Sequence, residues 1–251
     1  MPELSSLEWI IIVTMFGAAF VQGVTGFAFA MIAMGVLSGI TSVQMVAPLV
    51  ALAALTNHTV QYLRYRRAFD PTIVAQLLLG AVLGIPFGLL ALRTLPETWM
   101  LVALGSIILA YSLYSLVGPR DGSLLQSNRW IYGAGFLSGA LNGSYNLPGP
   151  PVVIYASSQN WPQERFKGNL ISFFWVNAVL VVIGHSLEER YSAQIIHQFL
   201  LAIPGILLGQ YLGVSLSKHL NPPMFQKITA GILAMTGIRI IFLGLQLNHS
   251  T

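Results

Sequence analysis

Side chains that donate hydrogen bonds without carrying charge gather at two places in this 251-residue chain, and both are glycine-rich interruptions of apolar sequence. The first is Phe20–Ala30 (FVQGVTGFAFA), where Gln22 and Thr25 stand beside Gly26 and Phe27. The second lies in Gly135–Tyr155 (GFLSGALNGSYNLPGPPVVIY), where Asn142, Gly143, Ser144, Tyr145 and Asn146 precede Pro148-Gly149-Pro150-Pro151. Apolar sequence resumes after each break, which predicts a helix restarting near Gly26-Phe27 and another near Pro150. A helix start offers free N–H groups and the positive end of the helix dipole, a ready anion site. Proline at the first helical position removes no useful donor. Two such helix starts facing one another would hold an anion without a buried lysine or arginine. The candidate contacts are therefore Gln22, Thr25, Gly26, Phe27, Asn142, Gly143, Ser144, Tyr145, Asn146 and Pro150. Asn57 and Asn177, in flanking apolar segments, complete the set. The plainer explanation is that these groups satisfy backbone carbonyls freed by the breaks, and that Asn57 and Asn177 bond between helices. Phe27, Phe29 and Trp175 are candidates to wall an organic tail, with ordinary packing as the alternative.

The elements that must position these residues are membrane helices. Hydrophobic residues make up 55% of the chain and charged ones 8%, and the mean hydropathy is +0.72. A soluble domain carries about 25% charged residues. The expected class is an all-α integral membrane protein with the lipid bilayer as its surroundings. The net charge of +4 is to be read loop by loop, not as a nucleic-acid signal. With no cysteine, disulfides, thiolate metal sites and iron–sulfur ligation are excluded. No paired carboxylates, HExxH, P-loop or serine–histidine spacing points to an enzyme or to a cofactor. The N-terminus, MPELSSLEWI, lacks a basic n-region and cleavage site, so the first apolar segment is expected to be retained.

Apolar blocks fall at about 9–40 (broken at Gln22–Gly26), 43–63, 72–92 and 96–117, then at 130–160 (broken), 166–187, 195–217 and 223–245. The polar stretch Gly118–Arg129 reads as a linker between a first repeat, 1–118, and a second, 130–251. Gly80, Gly84 and Gly88 recur as Gly205, Gly209 and Gly213. Both sets are GxxxGxxxG faces that let membrane helices approach closely; they are also surfaces on which a homodimer could form. If both broken blocks are re-entrant hairpins and the N-terminus is outside, the inside holds Arg64, Arg66, Arg67, Arg120, Arg129, Arg165, Lys167, Lys218 and Lys227. Arg93 and Arg190 stay outside, as the positive-inside rule requires. Eight full crossings leave almost no bias. Each half then has one hairpin and three crossings, which makes the halves inverted repeats, a recurrent plan of secondary transporters. Arg239 lies near enough to a helix end to snorkel. His58 and His185 sit toward span ends, where a structural role outweighs a proton relay.

FVQGVTGFAFAMI in the first half, GxxxGSYNLPGPPVVIY followed by FKGNL in the second, and the paired GxxxGxxxG helices resemble the TauE/SafE family of sulfite and organosulfonate exporters over nearly the whole chain. The resemblance implies a secondary transporter of the inner membrane that exports a small anion, a sulfonate or sulfite, held at the midplane between the two broken-helix tips. An anion channel, a carboxylate transporter and a non-transporting scaffold subunit are the other readings on this framework. Ser144-Tyr145-Asn146 stands where many members are richer in glycine.

Overall fold

A computed structural model describes residues 4–117, 127, 129–159, 161–217 and 222–249. Its described residues form ten helices and no strand. They are α1 (Ser6–Thr25), α2 (Phe29–Leu37), α3 (Val43–Tyr65), α4 (Pro71–Thr94), α5 (Glu97–Val117), α6 (Trp130–Tyr145), α7 (Gly149–Ser157), α8 (Gln163–Leu187), α9 (Ala193–Leu216) and α10 (Pro222–His249). Seven are long and apolar enough to cross a membrane: α1, α3, α4, α5, α8, α9 and the Lys227–Leu247 part of α10. The six unbroken blocks expected from sequence each become one helix. The proposed linker lies outside the described residues except for Ser127 and Arg129, as do Arg120 and Lys218 of the charge count.

The chain forms two compact units, and each draws on both halves of the sequence. The first unit gathers α1, α2, the start of α3, α5, α9 and α10; the second gathers the end of α3, α4, α6, α7 and α8. Glycine is the reason the halves interleave. A Cβ at Gly80, Gly84 or Gly88 of α4 would overlap the carbonyl oxygens of Tyr132, Phe136 or Ala140 of α6. Reciprocally, a Cβ at Gly135, Gly139 or Gly143 of α6 would overlap Leu77, Ala81 or Ile85 of α4. In the other unit Gly209 and Gly213 of α9 press on the carbonyls of Phe16 and Phe20 of α1, while Gly23 presses back on Gln210 and Val214. Both pairs run parallel, backbone on backbone, the geometry that small-residue faces permit. These ladders are covered inside their own units.

In each unit the broken helix doubles back. In the first, Ser5 and Glu8 form a capping box at the start of α1, and Glu8 lies 3.2 Å from His197 at the start of α9. Leu37, at the end of α2, lines one cleft with Leu7 and Ile11 of α1 and Val46 of α3. The start of α3 is in turn held by Glu97, whose Oε1 accepts the Val43 N–H at 2.7 Å. In the second unit α6 runs alongside α4, and Arg165 at the start of α8 meets Asp70, just before α4, at 2.5 Å. The α7 arm therefore returns to the end of the unit where α6 began.

The FKGNL segment docks the α3–α4 turn. A Cβ on Gly168 would stand 2.5 Å from the Ala68 carbonyl, and Asn169 Oδ1 accepts the Asp70 N–H at 2.7 Å.

Candidate anion site at the broken helices

The first break falls later than its polar residues suggest. Helix α1 runs on through Gln22 and Thr25 and ends at Gly26, whose φ of 88° is left-handed, followed by Ala28, also at 88°. The restart is at Phe29, two residues beyond the expected Gly26-Phe27. Helix geometry continues because the side chains serve it. Thr25 Oγ1 lies 2.9 Å from the Val21 carbonyl and 2.6 Å from that of Phe27. Gln22, 1% exposed, turns its Oε1 to the Phe29 N–H at 3.0 Å and so caps the first amide of α2. Thr25 thus does the structural work that the plainer explanation assigned it, while Gln22 serves an amide of the restart instead of a freed carbonyl. The next two amides of α2, those of Ala30 and Met31, have no partner among the described residues. Beside them, a Cβ at Gly26 would meet nothing within 4 Å. Phe27 packs edge-on against Tyr111 at 5.7 Å.

The second break is also displaced. Helix α6 continues through Asn142, Gly143 and Ser144 to Tyr145, with Ser144 Oγ donating back to the Ala140 carbonyl at 2.6 Å. Asn146 ends it in the left-handed region at φ 57°, a conformation asparagine tolerates better than most residues. Helix α7 begins at Gly149, one residue before the expected Pro150, so Pro150 and Pro151 occupy its second and third positions and bring no N–H. That corrects the expectation that proline costs this site no donor. The first amide of α7, that of Gly149, has no partner among the described residues, and no side chain caps it. Gly149 is buried, yet a Cβ on it would meet nothing within 4 Å. Ser138 Oγ donates to the Pro148 carbonyl and holds the turn onto α6.

Asn142 Nδ2 donates to Asn177 Oδ1 at 2.8 Å, so two residues singled out separately in the sequence form one pair across α6 and α8. Asn177 is fully buried and its own Nδ2 has no partner among the described residues. Tyr145 and Asn146 are 4% and 3% exposed. In the first unit, Asn57 is fully buried in α3 with neither amide atom bonded among the described residues. Trp175 is spoken for: its Nε1 donates to Thr59 at 3.1 Å and its ring stacks on Tyr62 at 4.6 Å. Phe29 is a packed core residue, 1% exposed.

Sequence reasoning passed over a group at the first tip. Thr25 and Phe27 line a narrow cleft with Tyr111, Ser112 and Ser115 of α5 and Thr229 of α10. The signal was the YSLYS run, Tyr111–Ser115, which sets hydroxyls into an otherwise apolar helix. Ser112 Oγ donates to the Ala230 carbonyl and ties that helix to α10.

The family model described as sulfite exporter TauE/SafE matches residues 11–240, a stretch that includes both tips and both glycine ladders. The chain belongs to the TauE/SafE family. A curated relative, the probable sulfite/organosulfonate exporter TauE of Cupriavidus necator, is 25% identical over 225 residues, covering 88% of each chain. No solved structure matches the chain. As a TauE/SafE protein with seven candidate spans, this is a multi-pass inner-membrane protein of an exporter family.

Proposed function

We propose that this TauE/SafE protein is a secondary transporter that exports a small sulfonate or sulfite, and that the broken-helix tips are its substrate seats. The observation that carries the reading is the combination at each tip of open space beside a glycine and donors without an acceptor among the described residues. At the first tip these donors are the Ala30 and Met31 amides. At the second they are the Gly149 amide and Asn177 Nδ2. A sulfonate presents three oxygens that accept and none that donates, so a seat made only of donors fits it. The dipoles of α2 and α7 add positive potential without a buried cation to be neutralised during transport. Asn57 supplies a further uncommitted amide in the first unit. The two halves of the sequence, one hairpin and three crossings each, serve as inverted repeats on this reading, with the basic 64–67 segment inside.

Proteoliposome counterflow tests the function. Unlabelled sulfonate trapped inside should accelerate uptake of labelled sulfonate, and thermal shift with sulfite, small sulfonates and carboxylates should rank the ligands. Single-channel currents without counterflow would replace the carrier with a channel, and neither flux nor binding would leave a scaffold.

A further inference from the structure

We propose that the exposed face of α10 around Arg239, with the turn after α2, holds an anionic phospholipid by its phosphate. Ile232, Met235 and Phe242 are 49%, 66% and 62% exposed. They recur at helical spacing with Arg239 among them, so Arg239 is the charged residue of an otherwise apolar outer stripe. Its guanidinium does not simply extend along its own helix. A Cβ on Gly39 would stand 3.0 to 3.3 Å from Nη1, Cζ and Nη2, which puts the group against the turn that closes α2. That is the carbonyl end of α2, where a cation is favoured. No carboxylate among the described residues pairs with it.

Depth and shape identify the occupant. Gly244 of α10 packs on the Thr98 carbonyl of α5, beside Trp99, which is 64% exposed. An exposed tryptophan at a helix end marks the interfacial level. Arg239 lies five residues earlier on α10, or roughly 7.5 Å deeper at the α-helical rise of about 1.5 Å per residue. An arginine stem covers that distance, leaving the guanidinium just beneath the headgroups while its methylenes stay in hydrocarbon. A single cation set in an apolar stripe, with Ile40 beside Gly39 in the chain at 46% exposed, complements an amphiphile with one anionic head and acyl tails. The fork of the guanidinium matches a phosphodiester. A zwitterionic headgroup carries its own ammonium, which competes for the same phosphate.

Native mass spectrometry of the delipidated full chain, titrated with phosphatidylglycerol or phosphatidylcholine, reads the site directly. The unaltered protein should retain phosphatidylglycerol in preference. Arg239→Gln should weaken that preference about tenfold, the scale of one charge-assisted hydrogen bond. Gly39→Leu keeps the charge but fills the place where the guanidinium rests, and should weaken it as well; it also serves if Arg239→Gln proves unstable. Unchanged preference in both variants would overturn the proposal, as would competition by inorganic phosphate at matched concentration, which points to a free anion. The chain has no cysteine, so a single cysteine at Met235 or Phe242 reports on its surroundings. Disulfide-linked dimers formed through it in native membranes would assign this face to a second copy and end the lipid reading.

Discussion

The two tips look interchangeable in sequence and differ in how they meet the same need. At the first, a glutamine seven residues back caps the first amide of α2, and the following two amides stay open. At the second, prolines remove the amides at the second and third positions of α7, and an asparagine pair joins α6 to α8 with one Nδ2 unpartnered among the described residues. On the proposed reading one tip presents backbone donors fixed by helix geometry, and the other adds to its backbone amide a side-chain donor fixed by packing. Backbone donors change little with mutation and recognise any oxyanion. Side-chain donors are where a substrate preference can be written, and the second tip is where this chain carries Ser144-Tyr145-Asn146.

Neither tip exists without its ladder, and the largest expected effect comes from breaking one. Gly84→Val or Gly209→Val drives a side chain into the backbone of the neighbouring helix. The cost should exceed the ~1–3 kcal/mol of ordinary overpacking, because no rotamer change can clear a carbonyl. Loss of monodisperse protein in gel filtration is the expected result for both variants. Survival of one would show that its tip is held by something other than the ladder.

The next effect separates the donor types. Asn177→Leu removes the unpartnered Nδ2 at nearly constant volume, while Asn142 Nδ2 keeps the Asn177 backbone carbonyl at 3.2 Å as its acceptor. Anion binding should fall more than tenfold, since a charge-assisted bond is worth roughly 1.5–3 kcal/mol, while thermal stability stays near that of the unaltered protein. Gln22→Ala should do the reverse. It strands a buried amide, a loss of about 1–3 kcal/mol in stability, and changes affinity less. Isothermal titration and thermal unfolding on the same samples check both, and equal behaviour of the two variants would erase the distinction between tips.

Much of this was legible in the sequence, for reasons particular residues make plain. The six unbroken helices follow from continuous apolar runs, and the two breaks from glycine, proline and amide clusters. The restarts fall two residues later and one residue earlier than expected, and the helices before them run on because Thr25 and Ser144 return their hydroxyls to the preceding turn, so polarity there prolongs the helix. Ala28 at φ 88° gives no sign in its residue type. The interleaving of the halves was half visible. Gly135, Gly139 and Gly143 match the spacing of the facing Gly80, Gly84 and Gly88, but Gly209 and Gly213 face a run on α1 through Phe16 and Phe20, whose backbone, not side chain, makes the contact. The pairing of Asn142 with Asn177 joins residues 35 positions apart on separate helices, and no local pattern signals it.

A smaller effect tests the space beside the second tip. Gly149→Ala adds a methyl that meets no protein atom within 4 Å. Stability should hold or rise by up to ~1 kcal/mol, the helix preference for alanine over glycine. Counterflow should slow if that space is the seat, and an unchanged rate would move the substrate elsewhere.

The smallest effect lies at the foot of the second hairpin, far along α4 from the tip. Burial pushes the Asp70 carboxyl up, but the Arg165 guanidinium and the amides of Ile73 and Thr72 outweigh it and hold the group below its ordinary value. A carboxyl lowered on folding contributes stability that is fully present above its unfolded pKa of about 3.9 and is lost as pH falls through the folded value. The Asp70 and Arg165 side chains are 28% and 45% exposed, so the pair is worth no more than about 1 kcal/mol and is screened by salt. Asp70→Asn should therefore lower thermal stability slightly at neutral pH and low salt. The gap from the unaltered protein should close as pH falls below the ordinary carboxylate range and narrow in molar salt. Because the pair ties α8 to the end of the unit opposite the tip, sulfonate affinity should be indifferent to the substitution. A coupled loss of affinity would mean that the side-chain donors of the second tip are positioned from the foot of the hairpin, and not by the packing around Asn142 and Asn177 alone.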